Sequence, residues 1–304
     1  EAGEVIIAGK NGDSAEIAFE AADLIYHLFV LLSSQGMAPA DVYAQLRKAL
    51  VEGVGELQRD RTPYDCRIDS WAQLEGVRVT DEQARININT MPLPVLEQLL
   101  IAAGIDRSRE RAAAMAAWRG DPQSEDVPEE AFDYYRRGYE CKRSAFESVH
   151  ELELVKEFDT VAPQRLQALK RLITVYGNGR INVNTVEPEV LSVLIRGCAG
   201  ELNITGRVDA DAVAQRIASF PLTQERVFVH PSQLVSRSAE IFDSNDLTPE
   251  LAAVLRILQG RMTSESTVFR LQAQQQVAGD GYPALAMTWV FDREQDRILF
   301  QHQQ

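Results

Sequence analysis

The stretch that decides the architecture is Arg85-Ile86-Asn87-Ile88-Asn89-Thr90, followed by Pro92, Val95, Leu96 and Leu99. It recurs 95 positions later as Arg180-Ile181-Asn182-Val183-Asn184-Thr185, with Pro188, Val190, Leu191 and Leu194 behind it. Each copy joins a short alternating segment to the start of an amphipathic helix. Alternate side chains of an extended segment face opposite ways, so Ile86 and Ile88 are expected in a core and Asn87 and Asn89 away from it. Thr90 and Thr185 then stand where helix N-caps belong. Pro92, Pro94 and Pro188 fit a first turn, whose N–H groups have no helical partner. The repeated polar residues are Asn and Thr, not Cys, His or carboxylates. The motif therefore points to architecture and binding, and no catalytic or cofactor-binding residue is assigned.

Working outward, residues 14–35 and 40–59 read as two helices broken by Gly36 and Pro39. The second carries Val42, Leu46, Leu50 and Val54 on one face, an apolar stripe expected to meet a partner. Val77-Arg78-Val79 alternates like a strand before the acidic turn Asp81-Glu82. From Met91 to about Gly260 the pattern is helical, with helices expected at 93–103, 107–119, 129–137, 147–157, 163–175, 188–196, 209–219, 231–236 and 248–260. The last forty or so residues alternate again over 267–277, 284–292 and 297–301, which reads as an antiparallel meander. A meander alone makes a poor core, so the early and late strands are expected to share one sheet. The expected fold is α+β: an N-terminal helical region over 1–60, a sheet from 61–90 and 261–304, and an all-helical domain over 91–260 inserted between strands.

Composition narrows the partners. The chain has 304 residues, 45% hydrophobic and 25% charged, with a formal charge of −14. Such a surface repels phosphate backbones, so nucleic acid is disfavoured as a partner. No run approaches the roughly 20 apolar residues of a membrane span. The chain opens at Glu1 rather than Met, which suggests a processed or truncated start. Cys66, Cys141 and Cys198 match no zinc or redox spacing. Cys66 and Cys141 share a Tyr-acid-Cys-basic context that would suit a pair, and three separate thiols fit the sequence equally well.

Two families share the doubled motif. The helix-hairpin-helix nucleic-acid-binding group resembles it, but Asp106 follows Gly104-Ile105, and Lys156-Glu157-Phe158-Asp159 has no glycine, so carboxylates stand where a phosphate would approach. The fuller resemblance runs from about residue 60 to 304. It takes in both motifs, Ala117-Trp118-Arg119-Gly120-Asp121, Tyr134-Tyr135, Phe146-Glu147-Ser148-Val149-His150-Glu151-Leu152 and the C-terminal meander. In these the chain resembles the protein K family of the bacterial type II secretion system, the minor pseudopilins. That resemblance implies a pilin-like fold: an N-terminal helix packed on an antiparallel sheet, with the large helical insertion. It further implies a non-enzymatic role capping the tip of a periplasmic pseudopilus, in complex with minor pseudopilins I and J. Protein H and the major pseudopilin would be further neighbours. It also implies a periplasmic location with anchorage to the inner membrane, although the family's hydrophobic N-terminal helix is not found in this sequence.

The acidic run Asp121, Glu125 and Asp126, beside Glu129 and Glu130, offers hard oxygen donors for calcium. Calcium in the helical domain of some members of the resembling family supports that expectation, while a solvated charge run explains the same residues. Asp243, Asn245 and Asp246 read as a turn and cap before Leu247-Thr248-Pro249. His27, His150, His230 and His302 form no ligand pair at helical spacing.

Overall fold

A computed structural model describes residues 77–121, 134, 137–224, 228–275, 285–295 and 297–303, together with residues 19, 23, 26, 27, 30–32 and 34–36. Helices and sheet are both present, in an α+β arrangement. The helices expected at 14–35 and 40–59, the interface residues Val42, Leu46, Leu50 and Val54, and the region 129–137 lie wholly or largely outside the described residues.

The chain divides into two compact units, Glu1–Thr80 with Arg270–Gln304, and Asp81–Phe269. The four-stranded sheet is ordered β1 (Val77–Asp81), β6 (Val268–Gln275), β7 (Leu285–Asp292) and β8 (Arg297–Gln303). The first strand thus lies beside one almost two hundred positions later, as the sequence pattern suggested. Strands β7 and β8 pair antiparallel, with a register shift at Val290/Phe291.

Within Asp81–Phe269 the doubled motif generates two similar halves. In the first, β2 (Ile86–Asn87) leads through α1 (Leu93–Ala102) and α2 (Ser108–Trp118) to α3 (Pro163–Leu172) and β3 (Ile173–Thr174). In the second, β4 (Ile181–Asn182) leads through α4 (Pro188–Glu201), α5 (Ala210–Gln224), α6 (Gln233–Ser236) and α7 (Ser238–Ile241) to α8 (Pro249–Arg261) and β5 (Met262–Thr263). In both, the opening two-residue strand pairs in parallel with the closing one, Ile86 with Ile173 and Ile181 with Met262. Thus Ile86-Asn87 belongs to its own half and not to the main sheet.

One apolar cluster fills both halves. Ile86, Leu96, Leu99, Leu169 and Ile173 of the first and Ile181, Leu191, Leu194, Leu255 and Met262 of the second are essentially inaccessible to water. Each such side chain contributes about 1.5–3 kcal/mol on burial. Helices α1 and α4, one from each motif, lie against each other so closely that a Cβ on Gly197 would come within 2.5 Å of Val95 Cγ2.

Several elements depart from the expected ones, for identifiable reasons. The helix expected at 147–157 is a 3-10 turn, Val149–Leu154, fixed at its start by a Ser148/Glu151 capping box. It is followed by Glu157 with φ of 73°, a left-handed conformation that no α-helix continues through. The expected helix 163–175 stops at Leu172 because the β-branched pair Ile173-Thr174 joins β2 instead. Neither motif threonine caps its helix: Pro92 and Glu187 occupy the N-cap positions, without side-chain cap bonds. Thr248 does cap α8, accepting from Leu251 N at 3.1 Å.

Candidate functional site

The motif asparagines point inward, contrary to the alternation argument. Two residues are too few to make a pleated strand with a wet face, and the chain turns immediately after Asn87 and Asn182. Asn87 Oδ1 accepts from Asn89 N at 2.9 Å, and Asn182 Oδ1 from Asn184 N at 3.0 Å, so each first asparagine closes its own turn. The second asparagine then stitches distant segments. Asn89 Oδ1 accepts from Phe146 N at 2.7 Å while its amide donates to Phe146 O and Val175 O. Asn184 repeats this with Phe228 N at 2.8 Å, Phe228 O and Ser264 O. Glu151 and Gln233, each five positions beyond these phenylalanines, accept from the backbone N–H groups that follow them. The two halves therefore share a hydrogen-bond plan as well as a sequence.

The plan converges on Asp81. Its Oδ2 accepts from Ser266 Oγ at 2.5 Å, Thr185 Oγ1 at 2.6 Å and Asn182 Nδ2 at 3.2 Å, and its Oδ1 from Gln83 N at 2.8 Å. Gln83 extends the junction, its Oε1 accepting from Thr267 N and its amide donating to Arg180 O. The residue is half-buried overall, but its carboxyl is enclosed, and that burial raises its pKa above the ordinary 3.8 despite the four donors. Asp81 and Ser266 stand at the start and end of the helical unit, and Asn182 and Thr185 at its middle. The arrangement holds a chain crossing together and aims no nucleophile or base at an open space.

A second buried group works similarly. Arg111 is almost wholly inaccessible and donates to Glu157 O at 3.1 Å, Thr160 Oγ1 at 2.8 Å and Asp106, while Arg107 pairs with Glu157 at the surface. The two turns compared with helix-hairpin-helix turns are thus bound to each other through Arg111. Cys198 is buried against Arg261 and Glu201, and burial pushes its thiol up to about 11.

Of the residues expected to hold calcium, Asp121 is engaged by Arg119 through both carboxylate oxygens, at 2.8 and 2.6 Å, and Glu125 and Asp126 lie outside the described residues. Asp243 and Asp246 flank Arg216, each at 3.0 Å. Among the described residues no three His, Cys, Asp or Glu side chains come together as a metal site. Cys141 sits 3.7 Å from Ala117 O, and Cys66 is outside the described residues. Among the described residues, no helix is long and apolar enough to cross a membrane.

In the N-terminal stretch, Asp23 and His27 are helical and solvent-accessible, with Asp23 Oδ2 3.5 Å from His27 Nε2. It is this stretch that resembles known enzymes. Residues 1–50 match the phosphoribosyl-ATP pyrophosphohydrolase family. Over 48 residues the chain is 58% identical to the phosphoribosyl-ATP pyrophosphatase of Geobacter sulfurreducens, covering 16% of this chain and 44% of that protein. It is 59% identical over 46 residues to the corresponding protein of Pelotomaculum thermopropionicum, covering 15% and 47%. The bifunctional histidine biosynthesis protein HisIE of Thermus thermophilus is 43% identical over 65 residues, 21% of this chain and 27% of its own length. The chain spans less than half the length of these curated relatives. Among solved structures, the GspK-GspI-GspJ complex of the type 2 secretion system of enterotoxigenic Escherichia coli matches with a TM-score of 0.57 and 15% identity, over 94% of this chain and 99% of that one. The fold is GspK-like.

These matches correct the functional reading drawn from the motif. A non-enzymatic pseudopilus cap with a role in protein secretion gives way to the enzyme family matched at residues 1–50. The nucleic-acid alternative gains nothing. The motif lies outside the matched stretch and builds the fold of the helical unit. In that stretch Glu16, Glu20 and Asp23 are spaced four and three positions apart in the sequence, a pattern that the doubled motif overshadowed.

Proposed function

We propose that residues 1–50 give this chain a phosphoribosyl-ATP pyrophosphohydrolase type of activity, hydrolysis of a pyrophosphate bond in a phosphoribosyl nucleotide. The observation that carries the proposal is the 58% identity over 48 residues to an enzyme of that name. Diphosphate chemistry needs its negative charge neutralised, and magnesium commonly enters such sites through one or two carboxylates together with the substrate's own oxygens. Glu16, Glu20 and Asp23 are the residues that would hold such an ion, and the accessible Asp23 carboxyl suits the role. When bound, the ion would offset the negative charge of the phosphates and so ease attack by water. The chain's own part would be to supply these carboxylates, of which Asp23 is helical and solvent-accessible. The test is pyrophosphate release from phosphoribosyl-ATP by the full chain with magnesium. Glu20→Gln is expected to lower kcat by 100-fold or more, on the order of the effect of losing a key electrostatic group. No release above buffer would overturn the assignment.

The GspK-like body supports a second reading, that it binds proteins of the GspI and GspJ kind. It rests on the extent of the structural match, nearly the whole of both chains. Co-elution of the full chain with such a pair on gel filtration would support it, and separate elution at micromolar concentration would remove it.

A further inference from the structure

We propose that Asn203 is the acceptor of an N-linked oligosaccharide, at a turn that has no part in residues 1–50 or their activity. Asn203-Ile204-Thr205 is the one Asn-Xaa-Ser/Thr triplet in the 304 residues, and its middle residue is not proline. An oligosaccharyltransferase reads that triplet, and uses it on exposed loops. Here it lies between α4 and α5, immediately past the α4 C-cap Leu202. Asn203 and Thr205 are exposed, whereas Leu202 and Ile204 are half-buried against the apolar cluster and hold the turn in place. Neither the Asn203 amide nor the Thr205 hydroxyl bonds to another described residue. A Cβ on Gly206 would meet nothing within 4 Å, so the space beside Thr205 is open.

The first half of the helical unit shows that the fold does not itself ask for these two side chains. After α1, Ala103 N, Gly104 N and Ile105 N donate to Leu99 O, Ile101 O and Leu100 O. After α4, Leu202 N, Asn203 N and Ile204 N donate to Cys198 O, Gly200 O and Ala199 O. The two turns match bond for bond, with Gly104 (φ 67°) in the place of Asn203 (φ 55°) and Asp106 in that of Thr205. Glycine takes this left-handed conformation without strain, and asparagine tolerates it. Asn87, Asn89, Asn182 and Asn184 spend their side-chain amides inside the fold, whereas that of Asn203 is left for a reaction. The donor is an oligosaccharide joined through its anomeric carbon to a polyprenyl diphosphate. Asn203 Nδ2 attacks that carbon, and the new C–N bond forms as the C–O bond to diphosphate breaks. The amide gives one proton to the transferase, and polyprenyl diphosphate leaves.

The test incubates the folded full chain with a purified bacterial oligosaccharyltransferase and a polyprenyl-diphosphate heptasaccharide, and reads intact mass and the modified peptide. The expected result is one glycan, carried by Asn203. Asn203→Gly, the residue that the first half uses at this point, should abolish the addition and leave the denaturation midpoint unchanged. Thr205→Val should slow it by about 10⁴-fold, the order by which a site built to bind a hydroxyl rejects a substrate lacking one. Thr205→Ser keeps the hydroxyl and should stay within about a hundredfold of the parent. A folded chain left unmodified, while a short Asn-Xaa-Thr control peptide is modified beside it, would overturn the proposal. So would addition that persists in Asn203→Gly, because the acceptor would then lie elsewhere.

Discussion

Asp81 and Glu151 are both withdrawn from water, yet their surroundings act on them in opposite directions. Burial raises the Asp81 pKa above 3.8, and its neutral donors, Ser266, Thr185, Gln83 N and Asn182, only partly offset that. For Glu151 burial also raises the pKa, but Trp118, the Glu147 N–H and the Lys142 ammonium outweigh it, leaving the group below its ordinary 4.5. The folded protein therefore holds the Asp81 proton to higher pH than the unfolded chain does. Stability from this group is complete below pH 3.8 and is lost as pH rises through its folded value. Glu151 contributes above pH 4.5 and loses that contribution as pH falls through its lowered value. Asp81→Asn should remove the decline with rising pH, at a cost of about 1 kcal/mol in acid for the bonds rearranged. Denaturant unfolding of the two proteins from pH 3 to 8 measures this, and parallel curves would contradict it. Neither environment was legible in the sequence. Asp81 reads as the acid of a turn, which accounts for the Gln83 N–H, but its side-chain donors come from positions about a hundred and nearly two hundred residues away. The motif asparagines misled for a related reason: the alternation rule presumes a strand long enough to have two faces.

Helix starts were legible because prolines mark them: Pro92 or Pro94, Pro163, Pro188 and Pro249 open α1, α3, α4 and α8. Helix ends were not. The second motif's helix was expected to stop at 196, before Gly197 and Gly200, yet α4 runs to Glu201. Glycine costs about 1 kcal/mol in a helix interior and reads as a breaker. At Gly197 the missing side chain is what lets α1 approach, since a Cβ there would lie 2.5 Å from Val95 Cγ2 and 2.8 Å from Val95 Cα. A backbone atom cannot swing aside as a flexible side chain would. Gly197→Ala should therefore destabilise the helical unit by about 1–3 kcal/mol despite its gain in helix propensity. Gly260, whose added Cβ would meet nothing within 4 Å, serves as the control, and Ala there should be neutral or stabilising. Equal denaturation midpoints for the two variants would show that the helix contact is looser than the geometry requires.

At the scale of the whole molecule, the stretch matched by an enzyme family and the segment carrying the doubled motif are different parts of the chain. Residues 1–50 match phosphoribosyl-ATP pyrophosphohydrolase, whereas the apolar cluster that closes the helical unit runs from Ile86 to Met262. The sequence announced the second part loudly, through a motif written twice, and the first only through three carboxylates at helical spacing. Periodicity reports what must be buried, and polar residues that stay at a surface leave no such pattern. The separation can be tested by removing residues 1–50. The proposed hydrolysis of phosphoribosyl-ATP should be lost altogether, while amide hydrogens of Leu99, Leu169, Leu194 and Leu255, deep in the cluster, should keep their exchange protection within about tenfold. Protection that collapses with the deletion would mean that the N-terminal stretch is part of what holds the helical unit folded, and activity and fold would then have to be explained together.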